Sequence, residues 1–282
     1  MEKVFAELQH NVRDGKIKLN GLILLLLYLV PFYYIDSVGF LCVISSLALL
    51  NLFYSPVADL YDHRQQKNKT AYLALVIGSI VFTIVQSQLF YMKKLDHGLL
   101  IGEIPLIPTF TTVFYLLFPA YWLIVNLDER GAIFKINRKS LTFTLLACLP
   151  LIFANITLYV RKFDLLSDQT MILCSAFQAL IMAAFIEELF YRAFLYGVLR
   201  KIVSVPMAQV ISGLTFSLSH LVLVHQFFDT YTIRPVLSLA ALFLLGVFYA
   251  QVYERTKSIW PSIIYHAIMN GFILYMIQLV LG

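Results

Sequence analysis

The sequence predicts an all-α, polytopic membrane bundle of about nine transmembrane helices, and three observations lead there. The 282 residues are 60% hydrophobic and 13% charged, with a mean hydropathy of +0.81, against about 45–50% and about 25% in soluble globular domains. Apolar runs recur along nearly the whole chain at the length of about 20 residues that a spanning helix needs. The basic residues collect in the short segments between those runs. A chain this apolar has too little polar surface to stay in water, so lipid is its solvent.

Nine runs qualify in order. The first two, 21–35 and 38–55, are divided by Asp36-Ser37. The first is short, with a re-entrant hairpin as the alternative there, and eight spans is the alternative count. The others are 71–91, 104–126, 141–160, 171–199, 205–224, 235–253 and 259–281. With the N-terminus cytoplasmic, the inside segments hold fifteen Lys and Arg and the outside segments five, with Arg192 left within a run. That bias supports nine spans and an outside C-terminus; eight would scramble the alternation beyond the missing helix.

Residues 1–20 form a cytoplasmic basic segment, 21–165 a set of helices without a recognised motif, and 166–282 the core that carries the chemistry. Within 1–18, Phe5, Leu8 and Val12 recur at helical spacing among basic residues. The segment is read equally as an interfacial amphipathic helix or a solvated tail. The net charge of +5 sets topology, so no nucleic-acid partner is expected; the bilayer itself is. Cys42, Cys148 and Cys174 lie in apolar runs without metal-like spacing and are expected as buried structural thiols. No cleavable signal peptide, internal repeat or low-complexity tract is evident.

A charge near the bilayer centre costs at least about 2.5–3.5 kcal/mol and persists where it is paired or used. The last four spans hold a cluster of such residues. Span six reads Glu187-Glu188-Leu189-Phe190-Tyr191-Arg192, span seven carries Phe216 and His220, and span nine His266 and Asn270. Glu188 and Arg192 are four apart and share a helix face, so they can pair. Glu187 is turned about 100° off that face. His266 and Asn270 share a face, as do Phe216 and His220. At about 1.5 Å per residue from the cytoplasmic ends, Glu187 and His220 lie about 20 Å deep and His266 and Asn270 about 12–18 Å. One shared site in one half-membrane layer is the expectation.

Glu187, with His220, is suited to activating a water molecule. His266 and Asn270 are suited to donating hydrogen bonds to the oxyanion formed at a peptide carbonyl. Glu188, Arg192 and Phe216 are then supporting structure. A zinc reading uses Glu187, His220 and His266 as ligands with an open position for water. Asn270 is a rare zinc ligand and a good donor, so no metal cofactor is favoured, with zinc as the alternative.

These segments resemble the motifs EExxxR, FxxxH and HxxxN of the CPBP family. These are the CAAX-protease and bacteriocin-processing enzymes, also called Abi or type II CAAX prenyl endopeptidases. All seven motif positions agree. The stretch 187–197 and the Ser258-Ile259-Trp260-Pro261 approach to the third motif agree as well. The resemblance covers about 171–275. It implies an intramembrane endopeptidase acting on a membrane-associated or prenylated (CaaX-type) protein or peptide. In that reading the first glutamate and the FxxxH histidine activate water, and the last histidine and asparagine bind the oxyanion. The expected location is a bacterial cytoplasmic membrane.

Competing readings are weaker. A catalytically silent scaffold predicts decay of at least one motif residue. A proton-coupled transporter predicts paired repeats with broken helices. Ser212, Ser217 and Ser219 lack the surroundings of a nucleophile, and no HExxH motif is present. His10, His63, His97 and His225 belong to no constellation.

Overall fold

The computed structural model describes residues 37–54, 69–96, 100–101, 104–105, 115–121, 133–161, 169–221 and 231–272. The segment 1–18 and the first run, 21–35, lie outside them. The helices are α1 (Ser37–Phe53), α2 (Lys69–Asp96), α3 (Arg138–Arg161), α4 (169–199), α5 (Val205–Leu218), α6 (Arg234–Thr256) and α7 (Trp260–Met269). A further helical stretch covers 115–121. Among the described residues, Lys69–Gln88, Arg138–Ile156, Ile172–Leu199 and Pro235–Thr256 are long and apolar enough to cross a membrane, and Cys42–Phe53 and Val205–Leu218 are shorter apolar helices. The chain is an integral membrane protein of helical architecture.

The side-chain pattern is that of helices dissolved in lipid. On α2, Leu73, Ile77, Val81 and Val85 are exposed at every fourth residue, while Ser79, Thr83, Gln86 and Ser87 are buried. On α3, Leu141, Leu145, Leu149 and Phe153 face outward, while Ser140, Thr144 and Asn155 face inward. In a bilayer the large apolar residues lose nothing by facing out, and small or polar ones gain packing and hydrogen bonds inside. Cys42 and Cys148 are buried, but Cys174 is exposed. It lies on the outward face with Leu173 and Phe177, which corrects the expectation of three buried thiols.

Other expectations change too. The run 104–126 does not begin as a helix. Ile104–Pro105 pairs antiparallel with Leu100–Ile101, the only strand pairing among the described residues. Pro105 lacks a backbone N–H group and holds its predecessor Ile104 away from helical geometry. Helix α5 ends at Leu218 and α7 at Met269, with helical geometry again at Phe272; the rest of the runs to 224 and 281 lies outside the described residues. α4 is one helical stretch, but Gln178–Phe185 and Leu189–Tyr196 are π-wound on either side of a three-residue α segment, Ile186–Glu188. π-Winding is rare and frequently marks functional sites.

The chain divides into two compact units interleaved in sequence. Unit one comprises Met1–Pro56, Phe134–Glu187 and Arg255–Gly282; unit two comprises Val57–Ile133 and Glu188–Glu254. In unit one, α3 packs along α1, and α7 packs on α3 and on Gln178–Phe185 of α4. Helix α3 begins with a reciprocal cap. Asn137 Oδ1 accepts from Ser140 N at 2.8 Å, and Ser140 Oγ accepts from Asn137 N at 3.1 Å, which satisfies two of the donors that a helix start leaves open. In unit two, Leu189–Tyr196 packs on α5, and α2 packs on α5 and on Gly197–Leu199.

Helices α5 and α6 meet through two glycines. A Cβ at Gly246 would lie 2.7 Å from Gly213 Cα, 3.0 Å from Gly213 O and 3.2 Å from Phe216 Cβ. Replacing Gly246 by alanine is therefore expected to cost about 1–3 kcal/mol through overpacking against backbone. Gly78→Ala on α2 is the control, since a Cβ there meets no atom within 4 Å and alanine is the better helix former. Thermal unfolding in detergent should show opposite signs for the two variants; equal effects would mean the α5–α6 approach is not tight.

Candidate active site

Each unit holds part of the motif set. Unit two carries Glu188, Arg192, Phe216 and His220; unit one carries Glu187, His266 and Asn270.

In unit two, Glu188 and Arg192 are fully buried, with Arg192 Nε 3.1 Å from Glu188 Oε2. The guanidinium carbon lies 4.9 Å from the Phe216 ring centroid, 5.2 Å from Tyr249 and 5.6 Å from Tyr191. Three aromatic faces thus surround a cation already held by a carboxylate. The ring quadrupoles favour that cation where water is excluded. The sequence pointed to the ion pair but not to Tyr191 or Tyr249. Tyr191 sits beside Arg192 in the chain, while no spacing rule brings in Tyr249 from α6.

Phe216 connects this pair to the next motif residue. Its ring stands at right angles to Tyr191 at 5.3 Å and lies 5.4 Å from the His220 imidazole. Tyr191 is fixed in turn by its hydroxyl, 2.6 Å from that of Tyr115, which donates to Gln86 Oε1 at 2.8 Å. Ser212 Oγ donates to the Tyr191 carbonyl at 2.9 Å and so supports the second π-wound stretch.

His220 is not inside α5 but in the turn that follows it, where Ser219 N and His220 N bond back to Phe216 O and Ser217 O. Its Nδ1 lies 3.2 Å from Phe216 O and 2.9 Å from Ser219 Oγ. A carbonyl only accepts, and Ser219 Oγ itself donates to Phe216 O at 2.6 Å. The proton therefore belongs on Nδ1, which leaves the Nε2 lone pair as the basic position. Ser219, set aside as a nucleophile in the sequence, is a neighbour that orients this ring.

In unit one, Glu187 is half-buried and is the middle residue of the three-residue α segment after the first π-wound stretch. Phe185, two residues earlier, packs on the Trp260 ring at 6.2 Å. Trp260 Nε1 donates to Phe134 O at 2.9 Å, which anchors the start of α7. His266 is buried in the last turn of α7. Asn270 is exposed as the residue that caps this helix, and its N–H bonds His266 O at 3.0 Å. Gly271 follows at φ 85°, the left-handed position that closes many helices and that glycine adopts without steric cost.

His220 and Asn270 thus both stand where a helix ends, although the apolar runs continue. Non-helical backbone within a membrane must be buried in protein or line a water-filled cavity. Among the described residues, no group of three or more His, Cys, Asp and Glu side chains comes together as metal donors. The sequence also missed a buried acid outside the motifs. Glu254 Oε2 accepts from the Tyr196 hydroxyl at 2.9 Å and lies 3.5 Å from Arg200 Nε.

Residues 169–272 match a family model described as type II CAAX prenyl endopeptidase Rce1-like. The match contains all seven motif positions and bears out the resemblance read from them. Neither a curated protein nor a solved structure matches the chain.

Proposed function

From a chain whose segment 169–272 belongs with the Rce1-like type II CAAX prenyl endopeptidases, we propose an intramembrane endopeptidase that hydrolyses a peptide bond in a membrane-associated or prenylated substrate. Glu187 takes a proton from water while His220, basic at Nε2, shares or relays it. His266 and Asn270 donate to the oxyanion of the tetrahedral intermediate. Glu188–Arg192, walled by Phe216, Tyr191 and Tyr249, keeps the π-wound helix in register. The nine-span topology with a cytoplasmic N-terminus, and a place in a bacterial cytoplasmic membrane, belong to the same proposal.

The observation that carries the reading is that all seven motif residues are intact within the matched segment. Four of them have supporting contacts in unit two. A silent scaffold has no need to keep Glu187 and Asn270 beside them. The turns that follow α5 and α7 also meet one demand of a transporter, but among the described residues no repeat accompanies them, and a hydrolase needs water at the same places.

The reading is tested with purified protein in lipid nanodiscs and a farnesylated CaaX peptide. Wild type is expected to cleave it, and Asn270→Ala to lower kcat by about 10²–10³-fold. A chelator is expected to leave the rate unchanged. If wild type cleaves no prenylated or membrane peptide, the peptidase reading falls. If chelation abolishes the activity and zinc restores it, the metal-free form falls and Glu187, His220 and His266 become the ligand set to test.

A further inference from the structure

Helix α7 carries His266 and ends at Asn270, yet it is only ten residues long. Isolated helices of that length are marginal, so its end must be fixed by its neighbours. Two of those neighbours, α1 and α3, lie outside the family-matched segment.

The contacts bracket His266. One residue before it, the Tyr265 hydroxyl lies 3.0 Å from Ser46 Oγ on α1. Ser46 is fully buried; its one hydroxyl proton goes to Cys42 O at 2.7 Å within α1, so its oxygen accepts from the Tyr265 hydroxyl, with Ala147 O of α3 3.2 Å away. Two residues after it, Ile268 O receives the Gly271 N–H at 3.0 Å within the closing turn. The same carbonyl receives a second donor from α3, Asn155 Nδ2 at 3.4 Å. Asn155 is buried, and its amide nitrogen also lies 2.8 Å from Leu151 O within its own helix. A carboxamide nitrogen carries two N–H groups, so both bonds can be made at once. The carbonyl that Asn155 reaches stands two residues from Asn270.

We propose that Asn155 is a positioning residue. Its amide holds the last turn of α7 on α3 and so fixes where Asn270 is presented, with Ser46–Tyr265 holding the helix one turn earlier. The use of that turn as an oxyanion donor rests on the peptidase reading above; the anchoring does not. A helix pair without any recognised motif thereby acquires a part in the geometry of the site.

The test compares wild type with Asn155→Leu, which keeps the size and removes the donor, and Asn155→Gln, which keeps an amide. Tyr265→Phe is the second variant, should Asn155→Leu fold poorly. Hydrogen exchange by mass spectrometry reads the α7 terminus, and turnover of the farnesylated peptide reads the chemistry. Asn155→Leu is expected to speed exchange of amides 268–272 about three- to tenfold, with exchange of α1 unchanged. It is expected to lower kcat about 10- to 100-fold with KM little altered, and Asn155→Gln to recover part of both. Tyr265→Phe should speed exchange in the preceding turn. Wild-type exchange at 268–272 in Asn155→Leu overturns the inference. Faster exchange with unchanged kcat reduces Asn155 to a purely structural contact and overturns its positioning role. If wild type cleaves nothing, the peptidase reading falls, and the exchange comparison decides the anchoring by itself.

Discussion

Replacing Glu187 by glutamine is expected to lower kcat by about 10²–10⁴-fold, the usual contribution of a positioned general base, with the thermal midpoint near that of wild type. The amide has the shape of the carboxylate but cannot take a proton from water. Glu187 is half-buried, so the substitution leaves no fully enclosed charge behind. Its neighbour provides the contrast. Glu188 is fully buried against Arg192, and Glu188→Gln should show its effect first in stability. Two adjacent glutamates are thus expected to fail in different ways, one in turnover and one in unfolding. Peptide cleavage and thermal unfolding on the same preparations check this. A Glu187→Gln protein with wild-type turnover would remove Glu187 from the mechanism.

The largest stability effect is expected at Arg192. Arg192→Leu leaves Glu188 as a buried carboxylate without its cation, a change that typically costs about 3–5 kcal/mol. Three rings lose the charge they surround as well. The double variant Glu188→Leu/Arg192→Leu should be milder than Arg192→Leu, because an apolar pair of similar volume often replaces a buried ion pair at little cost. Arg192→Lys should fall between, since an ammonium keeps the charge but lacks the planar face that lies against Phe216 and Tyr249. Denaturant or thermal unfolding in detergent measures all three. Simple additivity of the single effects would show that the two residues are not coupled.

What the sequence made legible was the set of motif residues, and of their expected contacts the structure has the Glu188–Arg192 pair. Spacing alone brought Glu188 to Arg192, singled out Glu187, and picked His220, His266 and Asn270 out of apolar runs. It could not show the winding of α4. No proline or glycine breaks residues 178–196, and a contact such as Ser212 Oγ to Tyr191 O exists only once α5 is in place. The helix ends divide into two kinds. Asn270-Gly271 after a helical run is a recognisable stop, and the structure has its turn there. The end at Leu218 carries no such signal, because Ser219 and His220 sit in an unbroken apolar stretch. Pro105 and Pro108 were a legible warning against a helix from Ile104. The aromatic wall of Arg192 and the anchoring by Asn155 are long-range packing, which periodicity in a single chain does not encode.

The seating of Trp260 makes the molecule its own optical probe. The chain has two tryptophans, Trp122 and Trp260. The Trp260 indole is hydrogen-bonded to the Phe134 carbonyl and packs against Phe185, two residues from Glu187. With Trp122 replaced by phenylalanine and excitation beyond the absorption of the 17 tyrosines, the emission would come from one indole. Its wavelength and lifetime would then follow hydration and movement where α7 begins, without any label and during turnover itself.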